Sequence, residues 1–220
     1  MPLMLPDDQL VLTAAPGTGS TSLAAAVAAL PGVVAVPEHD LTDGDPAGGG
    51  RTVVDAKHAT VAQLIAAELL PADHGLRIVT TTRNPFDFYP AEWDRTRGRW
   101  VQLLRDRTSW VHTQAGAIDR IVDAVTNDFD DWLQLVLGDD HTAGRTRRLN
   151  RGHVTEAHEV LRMEHLQGDA DRCFGPGRVA VGHLNRTGRS RPYWQYYSAR
   201  SRQLVEDVHR PDLEAGHYRF

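Results

Sequence analysis

Leu10-Val11-Leu12-Thr13-Ala14 is a short apolar run that passes directly into a turn-rich stretch, Ala15-Pro16-Gly17-Thr18-Gly19-Ser20-Thr21-Ser22. The run is bounded by turn residues and reads as a buried strand. Behind the stretch, Leu23, Val27 and Leu30 recur at helical spacing until Pro31-Gly32 stops them. Strand, glycine loop and helix in this order form the opening unit of a nucleotide-binding α/β fold. Glycines let a backbone take positive φ and approach a ligand closely. Amides at the following helix start, together with the helix dipole, favour an anion there. Gly17, Thr18, Gly19, Ser20, Thr21 and Ser22 are therefore the predicted phosphate cradle. An ordinary strand-to-helix turn with a Ser/Thr cap is the alternative.

The remaining chain continues the pattern. Val33 to Val36 reads as a second strand, and residues 42–50 as a surface loop rich in glycine. Thr52-Val53-Val54-Asp55 is a further predicted strand. Thr60 can cap the next helix with Gln63 at the capping-box position, and Val61, Leu64, Ile65 and Leu69 form its apolar face. Arg77 to Thr82 is a β-branched strand leading into Arg83-Asn84-Pro85. The middle is helical: Ile118, Ile121, Val122 and Val125 share one face, as do Phe129, Trp132, Leu133, Val136 and Leu137 behind a cap at Asp128. Residues 138–152 read as a mobile polar loop, Glu159 to Met163 as a strand, and Ser198 to about Val208 as a helix. Alternating strands and helices predict a three-layer α/β fold with a mainly parallel sheet.

Composition narrows the functional classes. A chain of 220 residues, 41% hydrophobic, suits one nucleotide-binding domain over 1–220. A formal net charge of -5 gives no general attraction to nucleic acid or to an anionic membrane. Lys57 is the only lysine, so any task that needs an ammonium falls to it or goes to arginine. Cys173 is the only cysteine, which excludes an intrachain disulfide and a cysteine-based zinc site. No His-x-x-x-His pair or carboxylate cluster suggests a metal. The start, Met1 to Asp8, has no basic n-region or long apolar run, so a cytoplasmic protein is expected. The Asn185-Arg186-Thr187 triplet is then incidental as a glycosylation signal.

Two families share the opening unit. Ala14 to Thr21 resembles a Walker A loop, with Ser20 in the lysine position, Ala14 in the first glycine position and Val53-Val54-Asp55 as a weak Walker B partner. The fuller resemblance is to sulfotransferases that use 3′-phosphoadenosine 5′-phosphosulfate (PAPS), and it runs from about residue 10 to 220. Pro16 to Leu23 is similar to their 5′-phosphosulfate loop, of the type P-K-T-G-S-T-S-L. Lys57-His58-Ala59-Thr60 resembles a K-H-x-T segment of the carbohydrate-type branch. Thr82 to Asp87 resembles the R-N-P-F-D motif that binds the 3′-phosphate, and Val160 to Leu166 the late V-L-R-x-E-x-L strand. His183 to Arg189 is similar to the H-V-N-x-T loop, and Tyr196-Tyr197 with Asp212 to Tyr218 to the usual tail. Gly17 departs from the family's loop lysine, and Ala91 from a serine that also holds the 3′-phosphate.

The resemblance implies transfer of a sulfonyl group from PAPS to a hydroxyl of a small molecule or sugar, with adenosine 3′,5′-bisphosphate as the other product and no metal. Such chemistry needs a base, donors for the charge on sulfonyl and leaving oxygens, and in-line placement. His58 is the predicted base, since imidazole titrates near neutral pH; a histidine bonded to a backbone carbonyl is its structural alternative. Lys57 is the predicted substitute ammonium, and Glu38 and His39 are second-choice bases. Arg83, with Arg186, Thr187 and Arg189, is expected to hold the nucleotide phosphates, unless Arg83 pairs with Asp87 or Glu92. Trp93, Trp100 and Trp110 could wall an acceptor pocket, whereas Trp132 belongs to the core. A degenerate Walker-type phosphotransferase and a non-catalytic nucleotide-binding protein are the other readings. The acceptor and the oligomeric state are not legible.

Overall fold

A computed structural model describes residues 1–42, 52–54, 56–138, 152–182, 184, 189 and 191–220. The strands are β1 Leu3–Leu5, β2 Leu10–Leu12, β3 Val34–Ala35, β4 Leu41–Thr42, β5 Thr52–Val54, β6 Arg77–Thr82 and β7 Glu159–Arg162. The α-helices are α1 Ser20–Val27, α2 Val61–Ala66, α3 Pro85–Arg95, α4 Val101–Leu103, α5 Ala117–Thr126, α6 Phe129–Leu137, α7 His153–Glu156, α8 Leu166–Phe174, α9 Ala199–Val208 and α10 Arg210–Ala215. The chain divides into two compact units, Met1–Arg83 with Leu149–Asn185, and Asn84–Arg148 with Arg186–Phe220.

The first unit is α/β, built on a mixed five-stranded sheet in the order β3-β1-β2-β6-β7. β2 pairs in parallel with β6, and β6 with β7; β1 is antiparallel to both β2 and β3. The expectation of a mainly parallel sheet thus holds for one half only. The antiparallel half follows from chain economy, because a three-residue 3₁₀ turn at Pro6–Asp8 is enough to return β1 onto β2. Thr52 to Val54 is a strand, but it pairs with β4 in a separate two-stranded sheet. Alternation along the strands divides their side chains between two faces. Leu10, Leu12, Val79 and Leu161 pack with Leu23 and Val27 of α1 and with Leu166, Ala170 and Phe174 of α8. Val11 and Ile78 pack on the opposite side with Val61 and Ile65 of α2. Leu23 is fully buried, so Leu23→Ala is worth about 2–5 kcal/mol of stability.

Local signals set the helix ends. Thr60 and Gln63 form the reciprocal capping box at α2, and Asp128 accepts from the Asp131 amide at α6. Asn84 caps α3, with Pro85 in its first turn. α1 ends at Val27, earlier than Leu30; the Leu30 amide instead bonds the Val27 carbonyl and tightens the last turn. Residues 139–151, most of the predicted 138–152 loop, and residues 43–50 lie outside the described residues.

The second unit is helical around an aromatic core. Phe129 stacks edge-on with Tyr196 and Tyr197 at 5.4 and 5.0 Å, and Trp93 and Trp132 are both buried. Tyr89 bonds His209 Nε2 at 2.5 Å, and His209 Nδ1 bonds Asp212 at 2.7 Å, all with His209 fully buried.

Candidate functional site: the loop after β2

β2 and β6 run in parallel, so both deliver their C-terminal ends to one edge of the sheet. The loop after β2 opens there. Gly17 and Gly19 have φ of +74° and +81°, a region that side chains resist. Gly19 is doubly constrained: a Cβ on it would lie 3.2 Å from both Leu166 Cδ2 and Met163 Cγ. Hydroxyls fix the loop from within. Thr18 Oγ1 and Ser20 Oγ both donate to the Ala15 carbonyl at 2.8 Å, and Thr18 Oγ1 also lies 2.5 Å from Thr81 Oγ1. Thr13 adds a bond to Thr80 at 3.0 Å. Among the described residues, no carbonyl receives a hydrogen bond from the amides of Gly17, Thr18, Gly19, Ser20 or Thr21 outside the helix ladder. Backbone amides at a helix start with no carbonyl partner are the kind of donor that an anion accepts from.

Beside this loop is a cavity of about 440 Å³, lined by Ser20, Thr21, Lys57, His58 and Asp40 and by the alanines of the α1 face. Lys57 and His58, neighbours in sequence, both line it. Lys57 is exposed and His58 half-buried. His58 Nδ1 lies 2.7 Å from the Ala14 carbonyl. A carbonyl can only accept, so in the neutral ring the proton sits on Nδ1 and Nε2 carries the lone pair. The bond to a carbonyl foreseen as the structural alternative is therefore present, and it also sets a tautomer in which Nε2 is the basic nitrogen. Asp40 Oδ1 accepts from the Ala56 amide at 2.8 Å and so ties down the turn before Lys57.

Arg83, at the end of β6, is 5% exposed, and its Nη1 donates to the Gly17 carbonyl at 3.3 Å. Its guanidinium therefore contacts the loop directly. In the second unit Asp87 pairs with Arg189 at 2.5 Å, and Glu92 pairs with Arg95. Arg186 and Thr187, and Asp55 of the weak Walker B candidate, lie outside the described residues. Glu38 and His39 are exposed and do not line the cavity. Ala91 is fully buried in α3. Trp100 and Trp110 stack edge-on at 5.0 Å, and Trp93 lies under the Arg97 guanidinium. No tryptophan lines the cavity beside the loop.

Three residues at this edge escaped the sequence. Thr80 and Thr81 form the hydroxyl ladder that holds the loop; polar β-branched residues at the end of a buried strand were the signal. His153, 5% exposed on α7, adjoins His58. Burial pushes its ring down to about 4, the charge on nearby His58 acts in the same direction, and a hydrogen bond with the His58 backbone opposes them. Among the described residues, no group of three or more His, Cys, Asp or Glu could hold a metal, and no helix is long and apolar enough to cross a membrane.

Comparison of the chain with protein-family models, with curated proteins and with solved structures yields no match.

Proposed function

We propose that this chain is a PAPS-dependent sulfotransferase, acting on a hydroxyl of a small molecule or sugar through a P-loop-like start on a three-layer α/β frame. The observation that carries the reading is the juxtaposition of Thr21 and Ser20, at the mouth of the glycine loop, with Lys57 and His58 in one cavity. Helices on both sheet faces and the parallel set β2-β6-β7 support the frame. Features of the loop that support the 5′ end of the nucleotide there are two glycines at positive φ, amides with no carbonyl partner among the described residues, and a helix start behind them.

PAPS would supply the activated sulfonyl group. The amides of Gly17 to Thr21 hold the 5′-phosphate and stabilise the negative charge that grows on its bridging oxygen. Lys57 provides the ammonium that Gly17 does not. A lysine at position 17 would be strained at φ +74°, so the cation is brought from the neighbouring turn instead. His58 Nε2 would take the proton as the acceptor oxygen bonds to sulfur and the bond from sulfur to the 5′-phosphate oxygen breaks, releasing adenosine 3′,5′-bisphosphate. Arg83 braces the loop from beneath through the Gly17 carbonyl and contributes charge for the 3′-phosphate. Ser20, in the Walker lysine position, is 5% exposed and turns back to the Ala15 carbonyl, which disfavours a Walker-type transfer.

The experiment is a single-turnover assay with PAPS and a panel of alcohols, phenols and sugars, following adenosine 3′,5′-bisphosphate. Acceptor-dependent product formation that falls about 10²–10⁴-fold in His58→Gln is expected. Tight nucleotide binding with no transfer to any acceptor assigns the chain to the non-catalytic reading.

A further inference from the structure

α7 lies against the turn that carries Lys57 and His58, and three contacts fasten it. Glu156 Oε2 accepts from the Val61 and Ala62 amides at 3.1 and 3.4 Å, the first donors of α2. Gly152, at φ +89°, approaches Thr60 so closely that a Cβ would lie 2.9 Å from Thr60 Cγ2. The third contact is the hydrogen bond from the His153 ring to the His58 backbone. Among the described residues His153 Nδ1 is buried with no partner, so Nε2 makes this bond. The bond favours the protonated ring, as a carbonyl acceptor does, so Nε2–H donates to the His58 carbonyl.

A buried imidazole that leaves one nitrogen unsatisfied is a poor choice for packing alone, because an unpaired polar atom destabilises the fold. A phenyl ring would fill the space without that penalty. We propose that His153 is a positioning residue for His58. His153 holds the His58 backbone, the Ala14 carbonyl holds its ring, and the two contacts together present Nε2 as the basic nitrogen toward the cavity. The proposal rests on the reading of His58 as the base.

Three variants of the full chain separate this role from a structural one. His153→Gln places an amide N–H near the Nε2 position and keeps the donor. His153→Asn places it near Nδ1, out of reach of the His58 carbonyl. His153→Phe keeps the volume and loses the donor. The readout is the His58 tautomer, from long-range ¹H–¹⁵N correlation spectra, with the signals assigned by their loss in His58→Gln. Wild type and His153→Gln should hold His58 as the Nδ1–H form. In His153→Phe and His153→Asn the preference should weaken by about three- to tenfold, the worth of one lost hydrogen bond, while His153→Phe resists urea as well as wild type. If His153→Phe does not fold, His153→Asn carries the same comparison. An unchanged His58 tautomer in every variant overturns the proposal, and so does a His153→Gln spectrum shifted as far as that of His153→Asn. Full activity in His58→Gln would instead remove the catalytic reading and leave the tautomer result intact.

Discussion

Acid should destabilise the first unit through His153, and the size of the effect follows from its burial. The ring has its ordinary value of 6.5 when the chain is unfolded and about 4 when folded. Between those values the unfolded state binds a proton that the folded state refuses, so stability rises with pH across that window and is lost as pH falls through it. The linkage contribution is about 2 kcal/mol at about pH 5 and about 3 kcal/mol at about pH 4, against almost nothing at about pH 7.5. Depressed carboxyls such as Asp8, held down by the hydrogen bond from Arg178, also lose stabilisation in acid. Comparison with His153→Gln cancels them, because only the imidazole titration is removed. The assay is urea unfolding across this range, read by circular dichroism and by hydrogen exchange in peptides over β6, which follow the unit that holds His153. Wild type should fall below the variant progressively from about pH 6.5 downward, with the difference levelling near about pH 4. Parallel pH profiles for the two proteins would refute the account of His153 as a buried neutral ring.

Other outcomes follow from the same geometry. Gly17→Lys, which restores the residue of the resembled family, should lower the stability of the first unit by about 1–2 kcal/mol because the position is left-handed; urea unfolding measures this, and an equally stable variant would show that φ is not the constraint. Gly19→Ala should cost at least as much, since its Cβ also meets Leu166 and Met163. Arg83→Ala should weaken binding of adenosine 3′,5′-bisphosphate by about tenfold to a hundredfold, the value of a charge-assisted bond. Titration with adenosine 5′-phosphosulfate then separates its two contacts, since an equal loss would assign Arg83 to bracing Gly17 and not to the 3′-phosphate.

The sequence revealed the parts of this fold that are encoded locally. The strand–loop–helix at residues 10–27, the Thr60/Gln63 capping box, the Asp128 cap and the β-branched run of β6 each depend on residues within a few positions of one another. Partners in a sheet do not. Thr52 to Val54 was legible as a strand, yet its pairing with Leu41–Thr42 and not with the main sheet depends on which edge is open. β1 was missed because Leu3-Met4-Leu5 is short and bracketed by Pro2 and Pro6, and only its pairing with β2 and β3 makes it a strand. In the site, the glycines and hydroxyls of the loop were legible as a set. That Lys57 and His58 share one cavity with Thr21 follows from the hold of the Ala14 carbonyl on the His58 ring and of Asp40 on the Ala56 amide, neither of which spacing reveals. The role of His153 was hidden for the same reason, since it reaches His58 from far along the chain.

Calorimetry with adenosine 3′,5′-bisphosphate and with ATP, each with and without magnesium, tests the central claim most directly. In this reading the loop amides, Lys57 and Arg83 meet the nucleotide phosphates directly. The account therefore predicts that the bisphosphate binds without magnesium, about tenfold or more tighter than ATP, a difference of about 1.4 kcal/mol or greater. Tight ATP binding that requires magnesium, with no preference for the bisphosphate, would contradict it.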